Sequence, residues 1–173
     1  SPREPLTSPP LRRTFNTGAH SSWGPTVANR VPVHAGRPYA HADYLARTEA
    51  VHTNCVPAGA FRGFGVPQAA IAQEAVFDDL AEALGIDRLE FRHLNALDNG
   101  VPTATGQVFD EGVGIRPCLD ALRPAWDAAI EKARDFNAKG GELRRGVGIA
   151  CGWYGCGNTS LPNPSTIRAG ITA

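Results

Sequence analysis

Methionine is absent from the 173 residues, and the chain opens on Ser1. A protein read from its own start codon keeps or loses only the first Met, so this absence points to a fragment or a processed chain. Net charge is also lacking: 17 Lys and Arg balance 17 Asp and Glu. Without a polycationic surface to neutralise many phosphates, nonspecific nucleic-acid binding is excluded as the expected role. Cys55, Cys118, Cys151 and Cys156 include no C-x-x-C pair, so neither a zinc ribbon nor an iron–sulfur run is written here. They are expected as free, buried thiols in a reducing compartment. His20, His34, His41, His52 and His93 show no ligand spacing, and no protein-ligated metal is expected. No apolar run approaches the roughly 18 residues needed to span a bilayer, and residues 1–13 lack a signal-peptide core. The expectation is a soluble, cytoplasmic protein. Hydrophobic residues nevertheless make up 42% and charged residues 20%, which is ordinary globular usage, so part of the chain packs a core.

Residues 1–13, SPREPLTSPPLRR, carry four prolines and little apolar periodicity, as a flexible leader does. The partial domain is expected over residues 14–173. From 14 to 38 the text is punctuated by Gly, Pro and Asn around β-branched patches such as TVANRVPVH, which predicts extended segments and turns. A strand is expected near residues 48–54. It feeds the glycine-rich loop GAFRGFG at 59–65, after which the period changes from two to 3.6. Pro67 suits a first helical turn. Residues 68–84 place Ile71, Ala75, Val76, Leu80, Ala83 and Leu84 on one predicted apolar face. Gly85 ends that helix, and Asp87 with Glu90 resembles a capping box opening a second one through about Leu97. This helix pair reads as helix-turn-helix, but Arg88, Arg92 and His93 are offset by acidic neighbours, which argues against DNA. A third helix is expected from Pro117 to about Lys139, kinked or divided by Pro124, with Leu119, Leu122, Trp126 and Ile130 packing. Residues 146–157, GVGIACGWYGCG, and 166–173, TIRAGITA, read as strands, the latter without a partner. The fold class is α/β (α+β), built round a strand–glycine-rich loop–helix unit.

The chemistry concentrates in GAFRGFG. Gly59, Gly63 and Gly65 free the backbone to approach a ligand closely, and consecutive N–H groups there can form an anion-binding nest. The loop is neither G-x-G-x-x-G nor a P-loop. A plain glycine-rich turn packed by Phe61 and Phe64 accounts for the spacing equally well. Arg62 is the exception, since a permanently charged fork between glycines suits an oxygen-rich ligand.

The string TNCVPAGAFRGFGVPQAAIAQE, residues 53–74, closely resembles the loop–helix signature of the molybdenum-binding subunits of the xanthine dehydrogenase and aldehyde oxidase family, the molybdenum hydroxylases. LAEALGIDRLEFRHLNAL adds an R-x-x-N segment at Arg92 and Asn95. SWGPTVANRVPVH and GVGIACGWYGCGNTS are similar to further family segments, closest to bacterial hydroxylases of N-heterocycles. The resemblance runs from about residue 14 to 173. It implies a molybdopterin enzyme that hydroxylates an aldehyde or electron-poor heterocycle with water oxygen, a glutamate serving as base and electrons passing to molybdenum. It further implies that Gly59, Ala60, Phe61, Arg62 and Gly63 lie along the cofactor, that Arg62 is catalytic through charge developing on the substrate, and that Phe61 and Phe64 shape the substrate pocket. The cofactor expected is molybdenum–molybdopterin in its cytosine dinucleotide form. Iron–sulfur and FAD centres are expected on partner subunits, beside the rest of the large subunit. The family's glutamine-bearing loop, G-Q-G pterin loop and catalytic glutamate are missing from these residues. Glu74 and Glu90 match none of them and read as solvated or capping carboxylates. Two readings follow: a central piece of a hydroxylase large subunit, inactive by itself, or a non-catalytic interaction or remnant domain. Flanking sequence discriminates between them.

Overall fold

Alternation lays down the first strand. In the computed structural model, which describes residues 10–36 and 38–154, β1 (Leu11–Gly18) turns Leu11 and Phe15 toward a small core containing Val31, Ala35 and Ala69. Arg12, Thr14 and Asn16 face away. β2 (Ala46–His52) lies parallel to it, in register from Leu11 opposite Ala46 to Asn16 opposite Val51, with a slip before Gly18 opposite His52. β1 therefore begins inside the segment expected to be leader: Leu11, Arg12 and Arg13 are strand residues. The strand expected at 48–54 is β2, two residues earlier.

The connection between the strands corrects a larger expectation. Residues 24–35, read as extended, form helix α1 (Gly24–Ala35), with Pro25 in its first turn and Pro32 inside it. Val27, Ala28, Val31 and Ala35 are buried at i, i+1, i+4 and i+8, a helical face that the prolines and β-branched residues concealed. Pro32 has no N–H to donate to the carbonyl four residues back, that of Ala28. Thr48 Oγ1 from β2 donates to that oxygen instead, at 2.9 Å. The outcome is a βαβ unit with α1 on one face of a two-stranded parallel sheet.

Three helices follow. α2 (Val66–Leu84) and α3 (Arg88–Asn95) match the predicted pair closely. The buried face of α2 does not match: Ile71 and Leu84 are exposed, whereas Ala69, Gln73, Glu74, Phe77 and Ala81 face inward. Glu74, expected in solvent, is only 7% exposed. Its Oε1 accepts the Tyr39 hydroxyl at 2.9 Å and its Oε2 the Arg92 Nε at 2.8 Å. Arg92, fully buried, also lies 2.8 Å from Asp78 and donates to the carbonyls of Arg88 and Glu74. Burying a carboxylate on the core face is tolerable only with such pairing, and single-helix periodicity carries no sign of it. Burial, then the charge of Glu74, push the Tyr39 hydroxyl above its usual range.

Asp87 caps α3 as expected of the box's first half, its Oδ1 accepting the N–H groups of Leu89 and Glu90. Its Oδ2 takes the Trp126 Nε1 proton at 2.9 Å, which docks α4 (Ile115–Ala138) onto the cap. Helix α4 runs undivided through Pro124. Leu119 and Trp126 are buried as predicted, while Leu122 is not. Residues 146–154 pair with no strand among the described residues, correcting that assignment. Their alternation is still real, since Val147, Ile149 and Cys151 turn onto the core shared by Tyr39, Phe77, Leu89 and Trp126. The readings for 155–157 and 166–173 lie outside the described residues. Cys55 and Cys118 are exposed and only Cys151 is buried, so the expected burial holds for one of three described thiols.

Candidate functional site

In a parallel βαβ unit, ligand-binding loops sit at the carboxyl ends of the strands. Both loops of that kind in this chain meet there, residues 19–23 after β1 and 53–65 after β2. Ala19 N–H donates to Cys55 O and Ala58 N–H to Thr17 O. His52 clamps them together: its Nδ1 lies 3.2 Å from Gly18 O and its Nε2 3.2 Å from Ser21 Oγ. A carbonyl only accepts, so Nδ1 carries a proton, and in the neutral tautomer Nε2 accepts from the serine. Cys55 projects from the same rim, with the side chains of Thr53 and Asn16 lowering its thiol pKa from the usual value.

Within GAFRGFG the backbone makes one tight turn, Phe64 N–H donating to Phe61 O and Val66 N–H to Gly63 O. Gly63 and Gly65 have φ of +90° and +95°. A Cβ on Gly65 would stand 2.7 Å from Val27 O, so this glycine is where the loop touches α1. Phe64 also has positive φ, +50°, a conformation costing a bulky residue of order 1–3 kcal/mol. It is held by the edge of Trp23, centroids 6.1 Å apart, and by the Arg30 guanidinium 5.9 Å above the ring.

The structure places each predicted site residue on this exposed loop. Among the described residues, the N–H groups of Gly59, Ala60, Phe61, Arg62 and Gly63 engage no acceptor, and Arg62 makes no hydrogen bond or ion pair. Phe61 is 85% exposed, whereas Phe64 is partly covered. Five unengaged amides beside a free guanidinium are suited to an oxygen-rich, anionic group. A groove of about 440 Å³ opens next to the loop between Gly63, Val66, Pro67, Trp153 and Tyr154. Tyr154 stacks on His34, and Trp153 is also a wall of an apolar cavity of about 300 Å³ with Phe109 and Ile115. Trp23, Trp153 and Tyr154 received no role from the sequence, although the strings containing them were singled out. The described residues hold no cluster of His, Cys, Asp or Glu able to ligate a metal, and no helix among them is long and apolar enough to cross a membrane.

Known proteins share this sequence pattern and fold. The profile of the molybdopterin cofactor-binding domain matches residues 6–96, and the chain belongs to that family, as the motif resemblance implied. The large molybdopterin subunit of nicotinate dehydrogenase from Eubacterium barkeri is 42% identical over 116 residues, 67% of this chain and 27% of that protein. Aldehyde oxidoreductase of Megalodesulfovibrio gigas is 38% identical over 140 residues, 81% of this chain and 15% of its own length. Among solved structures, aldehyde oxidoreductase from Desulfovibrio gigas superposes with a TM-score of 0.67 at 35% identity, over 72% of this chain and 14% of that one. Quinoline 2-oxidoreductase from Pseudomonas putida 86 gives 0.64 at 25% identity, over 75% and 18%. The chain thus spans between 15 and 27% of the length of the first two relatives.

Proposed function

We propose that these residues serve within the molybdenum-binding large subunit of a hydroxylase of the xanthine dehydrogenase and aldehyde oxidase type, which oxidises an aldehyde or N-heterocycle with oxygen from water. The observation that carries the reading is the exposed GAFRGFG loop, with its unengaged amides and free Arg62, at the carboxyl ends of two parallel strands. It is supported by relatives and neighbours whose names specify nicotinate, aldehyde and quinoline chemistry.

In this reading, Gly59, Ala60, Phe61, Arg62 and Gly63 would hold molybdenum–molybdopterin, in the cytosine dinucleotide form, by their N–H groups. When bound, that group supplies the redox centre for hydroxylation. The chain's own contribution is placement. Gly65 pins the loop to α1, and the Trp23–Phe64 contact fixes one aromatic wall. Phe61 and Phe64 bound the substrate, while Trp153 and Tyr154 close the groove's far side against water. Arg62 stabilises negative charge that grows on the substrate, an interaction stronger in the transition state than in the ground state. The base and remaining cofactor loops come from elsewhere in the subunit, electrons leave through iron–sulfur and FAD partners, and the site of action is the cytoplasm.

The test uses the full-length subunit. Arg62→Ala should lower kcat/KM roughly a hundred- to a thousandfold, the usual cost of losing one such donor, with molybdenum content unchanged. Arg62→Lys keeps the charge without the planar fork and should recover only part of the loss. An unchanged rate per molybdenum would remove Arg62 from the chemistry, and loss of molybdenum in step with activity would make it a loop anchor.

A further inference from the structure

Parallel sheets are ordinarily covered on both faces. Among the described residues only one face is covered, since of their four helices α1 alone lies against β1 and β2. The outer face consists of three cross-strand pairs: Arg12 opposite Arg47, Thr14 opposite Glu49 and Asn16 opposite Val51. Like charges directly opposite one another destabilise a sheet. Yet among the described residues neither Arg12 nor Arg47 has an ion-pair partner, Glu49 included. Arg13 adds a third guanidinium to the same shallow cavity of about 200 Å³, its Nη1 donating to the Arg12 carbonyl. Leu45, 60% exposed, borders the adjoining hollow beside Arg12 and Arg47. The surface combines uncompensated positive charge, two exposed aliphatic side chains, Leu45 and Val51, and no cover from the described residues.

We propose that this outer face is the docking surface for a carboxylate-bearing segment of the same molybdenum-binding subunit, lying outside these 173 residues. The inference rests on the functional reading above, in which the base and remaining cofactor loops come from elsewhere in a subunit several times longer than this chain. A carboxylate between Arg12 and Arg47 would turn their repulsion into a bridged pair, and each guanidinium fork can take it bidentately. The parallel pair would thereby gain its second layer.

The experiment compares the 173-residue chain with the full-length subunit. Both are labelled with an arginine-selective dicarbonyl reagent and mapped by mass spectrometry. Arg12 and Arg47 should react readily in the chain and at least about tenfold less in the subunit, the expectation for guanidinium groups removed from solvent. Arg47→Glu should then change sign with context. In the chain it creates an opposite-charge pair with Arg12 and should raise Tm by about 1–3 °C. In the subunit it sets two carboxylates together and should lower the midpoint more than Arg47→Gln does. Equal labelling in both proteins, or a higher midpoint for Arg47→Glu in both, means the face is simply solvated and overturns the proposal. Protection with Arg47→Glu no worse than Arg47→Gln also overturns it, because the cover would then not be a carboxylate. A full-length subunit without hydroxylase activity would count against the functional reading alone and leave the labelling result standing.

Discussion

The cluster inside the helix layer and the loop at the strand ends use the same kinds of group in opposite ways. Around Arg92 a guanidinium, two carboxylates and a phenol are gathered and each finds a partner within the protein. Around Arg62 a guanidinium and five amides stand in the open with none. The helix that carries Glu74 also carries the loop at its N-terminus, so the two regions are ends of one mechanical part. Polar groups satisfied internally fix position, and polar groups left unsatisfied at a fixed position can be satisfied by a ligand. Rigidity at Arg92 is what gives the open donors near Arg62 a defined geometry.

The sharpest way to break this contrast is Arg92→Ala. It strands Glu74 in the core and should cost about 3–5 kcal/mol, a large fraction of an ordinary domain's stability. Urea midpoints of the chain measure it; a loss below about 1 kcal/mol, the range of an exposed ion pair, would mean the cluster is hydrated and the comparison false. Next in size is Gly65→Ala, which puts a methyl group against Val27 O at positive φ and should cost about 1–3 kcal/mol. Two tyrosines, buried Tyr39 in the cluster and partly buried Tyr44 beside α1, add an alkaline signature. Burial pushes Tyr44 up to about 12 and raises Tyr39, whose neighbour Glu74 adds to the effect. The unfolded chain releases these protons near pH 10, so stability is full below that pH and falls as pH rises from 10 through 12. Denaturation midpoints at pH 8, 10 and 11 follow the fall, and Tyr39→Phe should flatten it. The smallest expected effect is Arg62→Ala in the isolated chain, within about 0.5 kcal/mol as for a surface residue without partners. A larger destabilisation would show that Arg62 belongs with the structural arginines.

What could be read from the sequence followed from local rules. The glycines and period change located the loop between β2 and α2, and Asp87 announced the start of α3. What escaped reading depended on distant partners. Pro32 looked like a helix breaker because its remedy, Thr48, lies 20 residues from the Ala28 carbonyl that it fills. Glu74 looked solvated because Tyr39 and Arg92 are 35 and 18 residues distant. The inward turn of α2 followed those partners and left Ile71 outside. At the loop, Phe61 and Arg62 were singled out through their setting between glycines, whereas Trp153 and Tyr154 lie in a string legible only as glycine–apolar alternation, with nothing local to place them beside the groove.

The repair of α1 by Thr48 has a consequence for the order of events in folding. A helix interrupted at Pro32 is a poor structure to nucleate by itself, and its vacant carbonyl is filled only by a residue of the following strand. During synthesis α1 therefore stays incomplete until Thr48 has emerged, and the same hydroxyl that completes the helix ties β2 to it. Completing the helix and anchoring the strand to it take a single contact spanning 20 residues, a local closure of the fast kind.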